Sequence, residues 1–63
     1  MFKNGFTFKV TKNGIIGVID AVSTTGIYSV CFYRDGSFYH RADVYEGTIR
    51  DNLKYGYYEE VAR

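Results

Sequence analysis

The chain contains a single histidine and a single cysteine, His40 and Cys31, and these side chains are the most suitable for nucleophilic or acid–base chemistry. An imidazole can serve as a general base, and a cysteine held beside it can serve as a nucleophile. The sequence spacing places neither a serine nor a carboxylate next to His40. We therefore interpret His40 as a structural or surface residue and Cys31 as a small buried apolar side chain. No catalytic residue is predicted, and we expect the protein not to be an enzyme.

Acidic side chains are too dispersed to predict a metal site or a pair of catalytic carboxylates. Glu59 and Glu60 are adjacent in a predicted strand, so they are expected on opposite faces of it. Asp43 and Glu46 lie in a predicted loop and supply fewer oxygen ligands than a divalent cation takes. A lone cysteine excludes an intrachain disulfide and a cysteine-based zinc site. The sequence therefore predicts no metal and no cofactor.

Tyrosine and arginine residues are interleaved through the second half of the chain, and they are the best candidates for a binding surface. Both residue types are enriched at the hot spots of protein interfaces. About half of the rings are expected to fill the small core instead, with their hydroxyl groups at its rim. Acids in the same region favour a protein partner, because mixed charge provides specificity. The predicted partner-binding residues are Tyr33, Tyr39, Arg41, Tyr45 and Arg50.

The stretch 27–41, IYSVCFYRDGSFYHR, predicts the hairpin around which the other elements are arranged. A two-residue Asp35-Gly36 turn would pair Phe32 with Tyr39, whereas a three-residue loop 34–36 would pair Phe32 with Phe38. We favour the second register because it collects four apolar side chains on one face. Those four are Tyr28, Val30, Phe32 and Phe38. The opposite face would then carry Ser29, Cys31, Tyr33, Tyr39 and Arg41.

Two strands are predicted before this hairpin. Strict alternation over 6–10 indicates a half-buried strand, and Asn13-Gly14 is a strong hairpin-turn signal before the apolar stretch 15–22. Gly17 inside that stretch indicates a bulge or a close backbone approach. Asp20 is expected to point to solvent or to accept backbone hydrogen bonds.

A short helical segment and a last strand are predicted after the hairpin. Thr48 and Asp51 have capping-box spacing, so a helical turn is expected over 48–55. Ile49 and Leu53 would share its buried face, and Gly56 stands where a helix-ending glycine belongs. Residues 57–61 are expected to form the final short strand.

This order of elements resembles an SH3-like barrel. The residues that carry the resemblance are Gly14-x-x-Gly17-Val18-Ile19, Tyr28-x-Val30-x-Phe32 with Asp35-Gly36, and Tyr57 with Val61. The Gly-x-x-Gly-Val portion is similar to the KOW segment of ribosomal and transcription-factor barrels. Small SH3-like proteins of this size also occur among bacteriophage accessory proteins. The resemblance implies an all-β fold, a small five-stranded SH3-like barrel with a short helical turn before the last strand, in one domain over 1–63.

The chain of 63 residues has a formal net charge of +1 and neither a membrane-spanning stretch nor a signal-peptide pattern. We therefore expect a cytoplasmic protein that does not contact a membrane. The predicted function is a non-enzymatic binding module, a small regulatory or inhibitory protein, phage-encoded in style, that docks on a larger host protein. The alternatives are a DNA- or RNA-binding SH3/KOW-like module and a self-associating β scaffold. In the scaffold, an edge strand at 6–10 or 57–61 would pair between copies.

Overall fold

Five strands and one helix form in the order that the sequence predicts. In the computed structural model, which describes residues 2–62 apart from the side chains of residues 23 and 24, the strands are β1 (Thr7–Val10), β2 (Ile16–Thr24), β3 (Ile27–Arg34), β4 (Ser37–Tyr45) and β5 (Tyr58–Glu60). The helix α1 (Glu46–Tyr55) lies between β4 and β5. All pairings are antiparallel, and the sheet order is β4-β3-β2-β1-β5. The predicted all-β fold with a helix before the last strand is confirmed; the family resemblance stays a prediction.

The turn between β1 and β2 forms where the Asn-Gly signal predicts it. The Val10 N–H donates to the Ile15 carbonyl at 2.8 Å, and the Gly14 N–H donates back to the Val10 carbonyl at 2.8 Å. Gly14 has a φ of 78°, a left-handed conformation that glycine adopts without steric cost. The Asn13 side-chain oxygen accepts from the Ile15 N–H. This turn fixes the pairing of Phe8 with Gly17.

The β3–β4 hairpin has a two-residue turn followed by a bulge, so the favoured three-residue loop is wrong. Arg34 pairs with Ser37, and the φ angles of 52° and 82° at Asp35 and Gly36 are those of a type I′ turn. The register then shifts, and Phe32 lies opposite His40 rather than Phe38 or Tyr39. Tyr39 is the extra residue of this bulge.

The core lies on one face of the sheet and is closed by the helix. Its fully buried residues include Phe8, Ile19, Tyr28, Val30 and Ile49. The predicted inward set of β3 is confirmed, since Phe32 joins Tyr28 and Val30 in this cluster. Phe38, by contrast, is 61% exposed, because the two-residue turn places it opposite Tyr33 instead of Phe32.

A row of rings crosses the core face of the sheet. The Phe8 ring stacks on Tyr58 of β5 at 4.4 Å and meets the edge of Phe32 on β3 at 6.1 Å. The Phe8 ring lies over Gly17 of β2, and a Cβ atom added to Gly17 would lie only 2.4 Å from the Phe8 Cζ atom. The prediction of a close approach at Gly17 is therefore confirmed. The glycine allows β1 and β3, which are not neighbours, to share one aromatic contact.

The helix begins earlier than predicted and has no side-chain cap at its start. It begins at Glu46, and its N-cap residue is Tyr45, so the capping box expected at Thr48 is wrong. The β ladder supplies the missing partner, because the Glu46 N–H donates to the Gly26 carbonyl at 2.8 Å. The predicted end is confirmed, since Gly56 caps the helix with a φ of 86°.

The two edges of the sheet are β4 and β5. The strand expected at 6–10 pairs with β2 on one side and with β5 on the other, so its placement at an edge is wrong. β5 is an edge strand of three residues, and β4 is an edge strand of nine.

Candidate functional site

The predicted partner-binding residues are divided between two sides of the molecule. Successive side chains of a strand point to opposite faces, so the register places three of them on the face opposite the core. Tyr33 lies opposite Phe38 there, Arg41 opposite Cys31, and Tyr45 opposite Ile27. We call this side of β2, β3 and β4 the outer face. Tyr33 is half-buried, whereas Tyr45 is 65% exposed and lies at the far end of β4.

The other two predicted residues lie on the core side. Tyr39 was expected beside Arg41 on the outer face, but its ring contacts the His40 ring at 4.6 Å, and His40 in turn stacks on Phe32 at 5.0 Å. The bulge causes this reversal, because it inserts one residue into the alternation of β4. Arg50 lies on α1, which packs on the core through Ile49. The five residues therefore do not form one continuous patch.

An apolar cluster on the outer face is the strongest candidate for a binding surface. We call it the outer patch and define it as Ile16, Val18, Cys31, Tyr33 and Phe38. Ile16 pairs with Tyr33, which pairs with Phe38, and the Tyr33 and Phe38 rings meet edge to face at 6.1 Å. Val18 pairs with Cys31 in the next row. The rings of Tyr33 and Phe38 and the aliphatic side chains of Ile16 and Val18 therefore lie beside one another across β2, β3 and β4.

Two ion pairs border the outer patch. Lys9, which pairs with Ile16 across β1 and β2, lies 3.6 Å from Glu59 on β5. On the other side, the Arg41 guanidinium lies 2.9 Å from the carboxylate of Asp20, the exposed extra residue of a bulge in β2. The arginine side chain reaches across β3 and donates to the Ser29 hydroxyl at 3.4 Å. The outer patch therefore has an apolar centre and a charged border.

Sequence reasoning missed the contributions of β2 and of Phe38 to this surface. The apolar stretch of β2 has hydrophobic residues on both faces, so Ile16 and Val18 are left on the outer face while Ile19 enters the core. That pattern was the available signal, because a strand apolar on both sides has one face that needs a cover. Phe38 reaches the outer face with the two-residue turn at Asp35-Gly36, which is the register that the sequence analysis did not favour.

The two side chains with catalytic potential do not meet. Cys31 lies opposite Arg41 on the outer face, while His40 lies opposite Phe32 on the core side, so the sheet separates them. Within residues 2–62, no three histidine, cysteine or acidic side chains are grouped so that they could hold a metal ion, and no pocket is present. The outer patch offers a partner the surface of its rings and aliphatic side chains, with paired charges around them.

The described geometry is that of a small antiparallel β-sheet domain with an apolar surface bordered by ion pairs. Comparisons with protein-family models, with curated proteins and with solved structures found no match. Over the described range, no helix has both the length and the apolar composition needed to cross a membrane.

Proposed function

We propose that the protein is a non-enzymatic binding module, a small regulatory or inhibitory protein that docks on a larger protein through the outer patch. The observation that carries this proposal is that Phe38, one of the five phenylalanines in this chain of 63 residues, is 61% exposed. Burying a phenylalanine side chain fully is worth about 1.5–3 kcal/mol. A partner that covers the outer patch recovers part of this free energy.

The arrangement of the outer patch supports a protein partner. Protein interfaces have an apolar, aromatic centre with a polar rim, and their hot spots favour tyrosine and arginine. Tyr33 and Phe38 supply the rings here, and Arg41 with Asp20 supplies one side of the rim. The likeness in size and style to bacteriophage accessory proteins makes a bacterial host protein the natural first partner to seek.

The charges around the outer patch favour a protein over a nucleic acid. Binding to phosphate requires cations that are available to neutralise it. Lys9 and Arg41, the cations at the two borders, each lie within 4 Å of a carboxylate, at 3.6 Å and 2.9 Å. Paired charges of this kind suit a partner that itself carries both signs.

Capture experiments with matched variants test the proposal. The wild-type protein, immobilised by one terminus, is expected to retain a defined protein from native bacterial lysate with or without nuclease. Phe38→Ala is expected to weaken this binding by about thirtyfold, the effect of losing one hot spot of about 2 kcal/mol. Tyr55→Ala is the control, because Tyr55 is a similarly exposed aromatic residue, at 66%, that lies on α1 and not in the outer patch.

Two results would refute the proposal. One is retention of the same protein by Phe38→Ala and wild type with equal affinity, while circular dichroism reports the same fold. The other is captured material that disappears on nuclease treatment, which would point to a nucleic acid.

A further inference from the structure

The nine-residue edge strand β4 is the least protected backbone of the sheet. Natural proteins shield sheet edges with very short strands, prolines or lysines. β5 follows this rule, since it has only three residues. β4 has nine residues without proline or lysine, and seven of the nine are exposed. Only the bulge at Tyr39 interrupts this edge, so the segment from Arg41 to Tyr45 stays regular.

The register of β3 and β4 determines which backbone groups of this segment point away from the sheet. The Glu46 N–H donates to the Gly26 carbonyl, so this pair is hydrogen-bonded. Hydrogen-bonded and non-hydrogen-bonded pairs alternate in an antiparallel ladder, so Val44 and Ala42 are also bonded to β3. The N–H and C=O groups of Arg41, Asp43 and Tyr45 therefore point away from β3, towards the side of β4 on which the sheet has no further strand.

We propose that β4 pairs antiparallel with β4 of a second copy of this chain, about a two-fold axis at Ala42. Outward groups must meet outward groups, so the axis can fall at Arg41, Ala42, Asp43 or Val44. An axis at Val44 sets Asp43 opposite Tyr45 and forms no ion pair. An axis at Arg41 sets two arginines opposite each other, and an axis at Asp43 does the same with two aspartates. Like charges in directly opposite positions are destabilising.

The axis at Ala42 is the one that the charges select. It places Arg41 of each copy opposite Asp43 of the other. Because the dimer is symmetric, this contact occurs twice and gives two ion pairs. The same two residue pairs exchange four backbone hydrogen bonds across the axis. Arg41 can keep its contact with Asp20, since a guanidinium has five N–H donors.

The resulting dimer has a continuous ten-stranded sheet. Paired residues of neighbouring antiparallel strands lie on the same face, so the two outer patches lie on the same side of the dimer. This pairing uses the edge of β4, whereas the outer patch uses the face, so the dimer and the proposed docking function can be tested separately.

Charge-reversed variants test the pairing. The mass of the wild-type protein in solution is expected to rise towards twice that of the chain between about 10 μM and 1 mM, the range of weak association. Asp43→Arg and Arg41→Asp each turn both attractive pairs into repulsive ones, which is expected to weaken dimerisation about tenfold or more. An equal mixture of the two variants restores both pairs, so it is expected to form a mixed dimer.

Asp51→Arg serves as the control for Asp43→Arg, because it changes the net charge equally at an exposed position of α1. It is expected to dimerise like wild type. A wild-type chain that stays monomeric up to about 1 mM overturns the proposal. So does a mixture of Asp43→Arg and Arg41→Asp that associates no better than either variant alone while both remain folded.

Nuclear magnetic resonance locates the two-fold axis independently. Ala42 of one copy forms a non-hydrogen-bonded pair with Ala42 of the other, in which the Cα atoms are about 4.5 Å apart. A sample that mixes labelled and unlabelled protein is expected to give an Hα–Hα contact between copies at this residue. A contact between copies that instead involves β5 or the outer patch contradicts the β4 pairing.

Discussion

Replacing Gly17 with alanine would place a methyl carbon inside the space that the Phe8 ring occupies. The new Cβ atom would lie 2.4 Å from Cζ and 2.7 Å from Cε2 of that ring. The ring has little room to withdraw, because Phe8 is fully buried, stacks on Tyr58 at 4.4 Å and meets Phe32 at 6.1 Å. Gly17→Ala therefore requires the Phe8 ring, or the strand that carries it, to move.

The expected loss of stability follows from two opposing effects. Overpacking a filled core costs about 1–3 kcal/mol. Alanine in place of glycine returns about 0.4–1 kcal/mol by restricting the unfolded chain. The midpoints of the two ranges leave a net loss of about 1.3 kcal/mol. A chain of 63 residues has a total stability of about 3–9 kcal/mol, so the change is a substantial part of the whole.

Urea unfolding of a double-mutant cycle measures this contact. Phe8→Leu is destabilising by itself, but it removes the ring atoms that the new methyl group would strike. In the Phe8→Leu background, Gly17→Ala is therefore expected to be neutral or slightly stabilising, with a coupling energy of about 1 kcal/mol or more. The melting temperature of the Gly17→Ala variant is expected to lie about 5–10 °C below that of the wild type.

Gly47→Ala is the matched control, because the added Cβ atom would lie 3.7 Å from an Arg50 guanidinium nitrogen, which is an ordinary contact distance. Gly47 is in the first turn of α1, where alanine is expected to stabilise by about 0.5–1 kcal/mol. The reasoning is refuted if Gly17→Ala is as stable as wild type. It is equally refuted if the cost of Gly17→Ala is unchanged in the Phe8→Leu background.

Three further substitutions examine how the helix is held. Ile49→Ala is expected to cost about 2–5 kcal/mol in urea unfolding, since Ile49 is fully buried, and a cost below about 1 kcal/mol would show that α1 does not close the core. Gly56→Ala should lose about 1–2 kcal/mol, because its φ of 86° disfavours a Cβ atom, and an unchanged midpoint would contradict that conformation. Thr48→Ala should change stability by less than about 0.5 kcal/mol. The larger loss typical of an N-cap residue would show that Thr48, and not Tyr45, caps the helix.

Much of the fold could be predicted from local patterns. Alternation over 6–10 predicted a half-buried strand where β1 lies, and Asn13-Gly14 predicted the turn between β1 and β2. Gly56 predicted the end of α1 because a left-handed residue is needed there and glycine adopts it freely. These features depend on residues close together in the chain, so the sequence contains the information needed to predict them.

The register of the β3–β4 hairpin could not be predicted in the same way. A bulge changes the alternation by one residue, and its position depends on packing across the sheet. The Asp35-Gly36 turn leaves Phe38 on the outer face, and the bulge at Tyr39 then brings His40 to the core side, where it stacks on Phe32. This single inserted residue separated Tyr39 from Arg41 and so divided the predicted binding patch.

The start of the helix was mispredicted for a related reason. A capping box assumes that the first N–H groups of a helix need a side-chain acceptor. Here the β ladder continues into the helix, and the Gly26 carbonyl accepts from the Glu46 N–H. That acceptor lies 20 residues earlier in the chain, so no local pattern identifies it.

Docking through the outer patch can be tested by chemical-shift mapping of isotope-labelled protein with its captured partner. The largest shifts, and the contacts between the two molecules, are expected at Ile16, Val18, Tyr33 and Phe38. The exposed side of α1, with Tyr55, is expected to be unaffected. Shifts confined to α1, with the outer patch unchanged at saturation, would rule out docking through the outer patch.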